Sequence, residues 1–302
     1  MAFSYPTAGL PPGARQARTK KCLSEPGADS VSRVSHISTL PNRQLSSSNA
    51  AALAIFARSP VPGKAKTRLI PLLGPRGAAE FQAALTADVL RKTHPLENRL
   101  TLVLMTAGSR RLREEYAVCA VSDDRLPVRV ERQRGQHLGE RLHHAFRKLL
   151  SKHTLAVVIG TDSPELSVRT LLRAFRELRG ADAVLGPCPD GGYYLVGMRR
   201  RSGRLSPPHE QLFQGVRWGT PQAFHDTFSR FARHGLSCAL LDPLEDIDRP
   251  EDLERLKERM VATPALRRRA PATWKFLRRG PWEQRRTAKT PGTTEATRSG
   301  DG

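Results

Sequence analysis

The 302-residue sequence has no closely spaced cysteines. Its four, Cys22, Cys119, Cys188 and Cys238, stand far apart, with no CxxC pair and no histidine at zinc-finger spacing. That argues against a disulfide framework and a structural zinc module, and a reduced, cytoplasmic protein is expected. No apolar run approaches the roughly 20 residues a membrane helix needs, so no membrane span is expected. GxGxxG is absent, which disfavours a dinucleotide fold, and no internal repeat is evident. Acids are scarce as well: 29 Asp and Glu stand against 50 Lys and Arg, a formal charge of +21. Such a surplus by itself points to nucleic acid or another anionic partner.

The surplus is uneven. Residues 1–48 carry six Lys and Arg against two acids, and residues 262–302 carry ten against three. Setting aside those surpluses of +4 and +7 leaves +10 for the middle. Both ends are rich in Pro, Gly, Ser and Thr and poor in apolar periodicity, so they bury too little surface to offset chain entropy. They are expected to be disordered basic tails, 1–48 and 262–302, around one domain over 49–261. The case for nucleic acid or an anionic surface then rests on the tails, above all "ALRRRAPATWKFLRRGPWEQRR", where aromatics interleave with cations.

The middle alternates. "LAIFA" (53–57), "LTLVLMT" (100–106), "VRVERQ" (128–133) and "LAVVIGTD" (155–162) have strand length and apolar content. "ADAVLGPCPD" and "GGYYLVGMR" read as two strands around a turn, and "SCALL" as a last strand. Between them lie helical patterns: a long one from Gly74, a short charged one around "SRRLREEYAV", then "LGERLHHAFRKLLSKH". "SVRTLLRAFRELRG" has a Ser N-cap and a closing Gly, "TPQAFHDTFSRFARHG" opens on Thr-Pro, and "RPEDLERLKERM" has Pro250 in its first turn. Strand alternating with helix predicts a three-layer α/β domain on a mostly parallel sheet. Ligands of such sheets bind beyond the carboxyl ends of the strands.

One such end is crowded with charge. "FARSPVPGKAKTRL" (56–69) follows the first strand directly and holds Arg58, Lys64, Lys66 and Arg68. It is not a Walker A loop: Arg58 stands where that motif needs Gly, and Ala65 follows Lys64. Pro60 and Pro62 stiffen the turn, and Gly63 permits close backbone approach. In an extended segment, Lys64, Lys66 and Arg68 would project to one side, as a cradle for phosphates. A solvated basic loop is the alternative on these residues alone.

The stretch "FARSPVPGKAKTRLIPLLGPRGAAEF" resembles the opening of the bacterial family DUF2064. The resemblance continues through "GQHLGERL", "VVIGTDSPEL", "VLGPCPDGGYYLVGM", "VRWGTP" and "EDIDRPEDL", in order, across nearly the whole middle. The family is described as glycosyltransferase-A-like transferases, some assigned to arsenosugar biosynthesis, and is related to the nucleotidyltransferases that activate 2-phospholactate. The resemblance implies a nucleotide-diphospho-sugar transferase fold and Mg2+ or Mn2+ held by Asp162, Asp248 and Asp246. It further implies donor phosphates on Arg58, Gly63, Lys64, Lys66 and Arg68, with Lys66 and Arg68 acting in the reaction. Glu140 and Arg141 would hold the nucleotide; relatives usually carry Asp where this chain has His137, and Thr where it has Arg249.

On local sequence alone, Asp162 before Ser-Pro also reads as a helix cap, and the acids of "RPEDL" as first-turn acids. Asp190, in the turn Asp190-Gly191-Gly192, is the candidate base for an acceptor hydroxyl. Tyr193 or Tyr194 would wall the acceptor pocket while strand alternation sends the other inward. Trp218 is either a second wall or a core aromatic. The expected function is transfer from a nucleotide-sugar to a small-molecule acceptor; nucleotidyl transfer from a nucleoside triphosphate is the alternative, and polyanion binding through the tails a second one.

Overall fold

The computed structural model describes residues 14–16, 50–107, 128–201 and 209–280. In chain order the strands are β1 (Ala14–Gln16), β2 (Ala51–Arg58), β3 (Thr101–Ala107), β4 (Arg129–Arg132), β5 (Leu155–Ile159), β6 (Ala183–Pro187), β7 (Tyr193–Arg199) and β8 (Cys238–Leu240). The helices are α1 (Ile70–Thr93), α2 (Leu138–Leu150), α3 (Val168–Glu177), α4 (His209–Phe213), α5 (Ala223–Arg233), α6 (Pro250–Ala262), α7 (Pro264–Arg269) and α8 (Pro271–Arg279). All eight strands form one sheet in the order β1-β8-β6-β7-β5-β2-β3-β4. Every pairing is parallel except those of β7, which runs against both β5 and β6. The mostly parallel α/β sheet expected from the alternation is therefore present.

Period-two alternation separates two cores. Leu53 and Ile55 of β2 face one side with Leu104, Val157 and residues of α1 and α3; Ala52 and Ala54 face the other with Met105, Val158 and residues of α2, α4 and α5. Small residues on the second face leave room for large helix side chains there, among them Phe146, Phe213 and Phe231. Ser167 caps α3, its Oγ accepting from Thr170 N at 3.0 Å, as its position in the sequence predicts.

Three expectations change. The long helix opens at Ile70, four residues before the point read from sequence, and breaks at Gly74 (φ 71°) ahead of Pro75. The folded domain does not end at 261. Leu266, Ala270 and Leu277 of α7 and α8 are buried with Leu69, Phe81, Leu256 and Met260 in a third apolar cluster. The carboxylate of Asp88, 1% exposed, accepts from Ala272 N at 2.9 Å and Thr273 N at 2.8 Å, satisfying orphan donors at the start of α8. Ala14–Gln16, assigned to a tail, pairs with β8 at the sheet edge. The helix expected around "SRRLREEYAV" lies outside the described residues.

The carboxyl ends of β2, β3 and β5 share one rim, since Ile55 pairs with both Leu104 and Ile159. Because β7 is antiparallel, its first residues reach that same rim, with Leu195 opposite Ile159. The turn before β7 and the loop after β8 are thus delivered to one place.

Candidate functional site

At that rim lies a cleft of about 760 Å³. Its lining includes Arg58, Lys66, Arg68, Arg141, Asp162, Asp190, Gly192, Tyr193, Tyr194, Trp218, Asp246 and Asp248, so most residues singled out in the sequence converge here.

The basic loop does not run extended. Val61 O accepts from both Lys64 N (3.0 Å) and Ala65 N (3.1 Å), which folds the segment into a turn and breaks the alternation that would align the three cations. Gly63 (φ 79°) and Lys64 are exposed and lie outside the cleft lining; Arg58 reaches back to Lys64 O at 3.5 Å. Lys66 instead turns inward. Among the described residues it is the one non-glycine at positive φ (45°), and it is only 5% exposed. Its ammonium donates to Ile247 O at 2.6 Å and pairs with Asp162 Oδ1 at 2.8 Å, with Asp248 Oδ1 at 3.8 Å. Arg68 Nη1 bonds Asp248 Oδ2 at 2.7 Å.

Asp162 and Asp248 are brought together by backbone: Ile247 N donates to Asp162 O at 2.9 Å. The space between these two carboxylates, which the sequence resemblance gives to a metal, is taken by the Lys66 ammonium. Behind Asp162, Lys92 donates to Pro164 O and Leu166 O; burial pulls its pKa down to about 8. Arg259 bridges Glu165 (2.7 Å) and Glu245 (2.9 Å), joining the two loops that carry the acids. Asp252 accepts from the amides of Asp248 and Arg249, so this acid of "RPEDL" is an N-terminal cap.

A second acidic group faces them. Asp246 has no ion-pair partner among the described residues, and burial, then the Asp190 carboxylate, push its pKa up to about 6. Asp190 Oδ1 accepts from Gly192 N at 2.9 Å, which fixes the turn. Gly191 (φ 87°) supports it: a Cβ there would overlap the Pro221 carbonyl, so only glycine seats this turn on the 220–221 segment. The alternation expected of the tyrosines holds. Tyr194 is buried, its ring over Gly186 and its hydroxyl donating to Asp242 O at 3.0 Å. Tyr193 is half-buried, edge-on to Trp218 with centroids 6.2 Å apart. Trp218 both lines the cleft and packs on the second core.

Glu140 does not line the cleft. Its carboxylate accepts from Gln136 N at 2.7 Å, and its amide donates to His137 Nδ1 at 3.4 Å, so the pair caps α2. Arg141 does line it, while donating to Gly135 O and Gln136 O. Sequence reasoning missed Cys188, Gln82 and Gln133. Cys188 is 5% exposed and lines the cleft; its sulfur and carboxylate oxygens of Asp190 and Asp246 lie within 4.8 Å of one another. Gln82 donates to Thr161 Oγ1 at 3.0 Å, and Gln133 to Met105 O at 2.8 Å. A cysteine two residues before Asp190 was visible in "PCPDGG", but nothing in the string places it beside Asp246.

Residues 92–220 match the sequence model of DUF2064, described as "Uncharacterized protein conserved in bacteria", so the resemblance read from the motifs holds. No curated protein matches the chain by sequence. Among solved structures, one from Desulfovibrio desulfuricans, described as a "putative nucleotide-diphospho-sugar transferase", is 28% identical with a TM-score of 0.67, over 78% of this chain and 97% of its own. A cytidylyltransferase from Leptospira borgpetersenii is 13% identical (TM-score 0.45, 81% of this chain and 99% of its own). Glucosyl-3-phosphoglycerate synthase from Mycobacterium tuberculosis, in complex with Mn2+, UDP and glucosyl-3-phosphoglycerate, is 13% identical (TM-score 0.40, 74% and 80%).

Proposed function

We propose that the protein is a transferase that takes a nucleotide-activated donor in this cleft, and that its reaction is glycosyl transfer from a nucleotide-sugar to a small-molecule acceptor. The observation that carries it is the meeting, at one rim, of Lys66, Arg68 and four carboxylates with the Tyr193–Trp218 wall. The likeness to the Desulfovibrio structure, whose description names a nucleotide-diphospho-sugar, supports the same reading.

The residues present fit a hard divalent cation. Asp246 and the outer oxygen of Asp162 supply oxygen donors without an ion-pair partner among the described residues, and Mg2+ or Mn2+ needs only one or two carboxylates beside phosphates and water. Charge crowding at Asp246 is what a cation would relieve. When bound, the ion would neutralise charge on the departing diphosphate.

The chain's own groups do the rest. Arg58, at the end of β2, and Arg141, in the first turn of α2, would flank the phosphates, and Arg68, half of a pair with Asp248, offers its remaining guanidinium donors. Lys66 is a positioning residue, since its three donors serve Asp162, Asp248 and Ile247 O. Asp190 Oδ2, with no bond among the described residues, accepts the proton of the acceptor hydroxyl. That hydroxyl oxygen bonds the anomeric carbon as the bond to the diphosphate breaks, and a nucleoside diphosphate leaves. Tyr193 and Trp218 wall the acceptor side and exclude water.

Nucleotidyl transfer is the second reading. Its support is a loop of three cations suited to a triphosphate, and with Lys64 outside the cleft and Lys66 committed to carboxylates that support narrows to the remaining donors of Arg68. Incubation with Mn2+ and each donor class separates the two. Release of nucleoside diphosphate from a nucleotide-sugar is expected. Release of pyrophosphate from a triphosphate, with nucleotide-sugars untouched, would overturn the glycosyl reading.

A further inference from the structure

The turn between β6 and β7 sets a thiol beside two carboxylates. Cys188 N donates to Gly192 O at 3.0 Å and Gly191 N to Cys188 O at 3.1 Å, so the turn holds Cys188 and Asp190 in fixed relation. Leu244 N donates to Pro187 O at 3.1 Å, which pins the loop carrying Asp246 against the same strand. The Cys188 side chain is buried, reduced and without a hydrogen-bond partner among the described residues, yet it borders the cleft. Its sulfur lies within 4.8 Å of carboxylate oxygens of both acids. The neighbouring acids Asp162 and Asp248 are answered by Lys66 and Arg68; Asp190 and Asp246 have no cation of the chain within ion-pair distance among the described residues.

We propose that Cys188, Asp190 and Asp246 form a site for a thiophilic divalent cation, Zn2+ or Cd2+, at the acceptor end of the cleft. One sulfur and two carboxylate oxygens are a three-ligand set for such an ion, with a fourth position left to water. The sulfur–metal bond forms as the thiol proton leaves to solvent, and no electron is transferred. Mg2+ and Mn2+ prefer oxygen and leave a thiol alone, so the sulfur separates the two kinds of ion. A thiophilic ion here engages Asp190 and Asp246 together, the proton acceptor and a metal ligand of the proposed reaction. It is therefore an inhibitor of that reaction. This consequence rests on the proposed function; the binding of the ion does not.

The test is titration of the full chain with Cd2+, followed by the ultraviolet sulfur-to-cadmium charge-transfer band, in the parent protein, Cys188→Ser and Asp246→Asn. Cys22, Cys119 and Cys238 are common to all three, so the difference spectrum isolates Cys188. The expected result is one equivalent of band missing from Cys188→Ser, and Cd2+ affinity at this band weakened about tenfold or more in Asp246→Asn, which keeps the thiol. Zn2+ should compete the band away, and millimolar Mg2+ should not. An unchanged band in Cys188→Ser, or unchanged affinity in Asp246→Asn, overturns the site. Cadmium binding as expected with no turnover of any donor leaves this site standing and removes the transferase reading instead.

Discussion

Lys66 combines two costly conditions, a left-handed backbone and a buried ammonium. Each costs on the order of 1 kcal/mol or more, and they persist only where surroundings answer them. Here Ile247 O and Asp162 do so. Lys66→Met leaves the two acids facing each other, and a loss of about 1–3 kcal/mol is expected in denaturant melts, discounted because Asp162 is half exposed. Donor binding in a thermal-shift assay should vanish with it. Asp246 behaves oppositely. Its pKa is raised to about 6, so the folded protein holds this proton more tightly than the unfolded chain. The group's contribution is fully present below about pH 4 and is lost as pH rises through 6. Asp246→Asn is accordingly expected to be more stable than the parent by roughly 1–2 kcal/mol near neutrality and equal to it near pH 4, while losing metal-dependent turnover. Melting curves at the two pH values check the sign. Convergence of these charges was legible in the sequence, because Asp162 ends an apolar strand and the cations follow another. Lys66 as the partner of Asp162 was not: residues two apart share a side only on extended backbone, and the bonds to Val61 O that curl the loop leave no trace in composition.

Among the elements, α7 and α8 were hidden by their own charge. Six Lys and Arg and no acid fall between Pro264 and Gly280, a composition read as a solvated tail. Yet Leu266, Ala270, Thr273 and Leu277 recur at helical spacing, and these are the residues that are buried. Phe276 lies 5.3 Å from Phe81, and Arg267 stacks on Trp274 at 5.5 Å, so the aromatics pack inward with a cation laid over one of them. A chain ending at Thr263 uncovers the apolar residues of α1 that α7 and α8 cover and takes from Asp88 the two amides it accepts from. Loss of about 3 kcal/mol or more is expected, seen as a lowered and broadened thermal transition. Strands were the most legible elements, since runs such as "LAVVI" have no polar face to place in water. The two strands around a turn were read without a direction for β7; the structure shows it antiparallel to β6, as strands joined by so short a turn must pair.

At the scale of the whole molecule, the charge of +21 and the cleft are separate matters. Inside the cleft, Lys66 and Arg68 are matched by carboxylates, whereas Arg268, Lys275, Arg278 and Arg279 stand exposed on α7 and α8. Binding of the full chain to duplex DNA is expected to be sequence-independent and to weaken on the order of 100-fold or more between about 50 and 200 mM salt. Binding of the proposed donor in the cleft, where Lys66 and Arg68 are already paired with carboxylates, should change far less over that range. Filter binding and thermal shift at matched salt compare the two. The tails that prompted the polyanion reading fall mostly outside the described residues, and the basic face of α7 and α8 is the part the fold displays.

The bond from Lys66 to Ile247 spans 181 positions of the chain. A ribosome has therefore made the cationic lip of the cleft long before it makes the acidic one. Until the segment beyond β8 emerges, Lys66 has neither Ile247 nor Asp248 to meet, and Asp162 waits beside an unfinished wall. The proposed site is thus completed late in synthesis, and a nascent chain stalled before Ile247 has strands and helices but lacks the acidic side of the cleft.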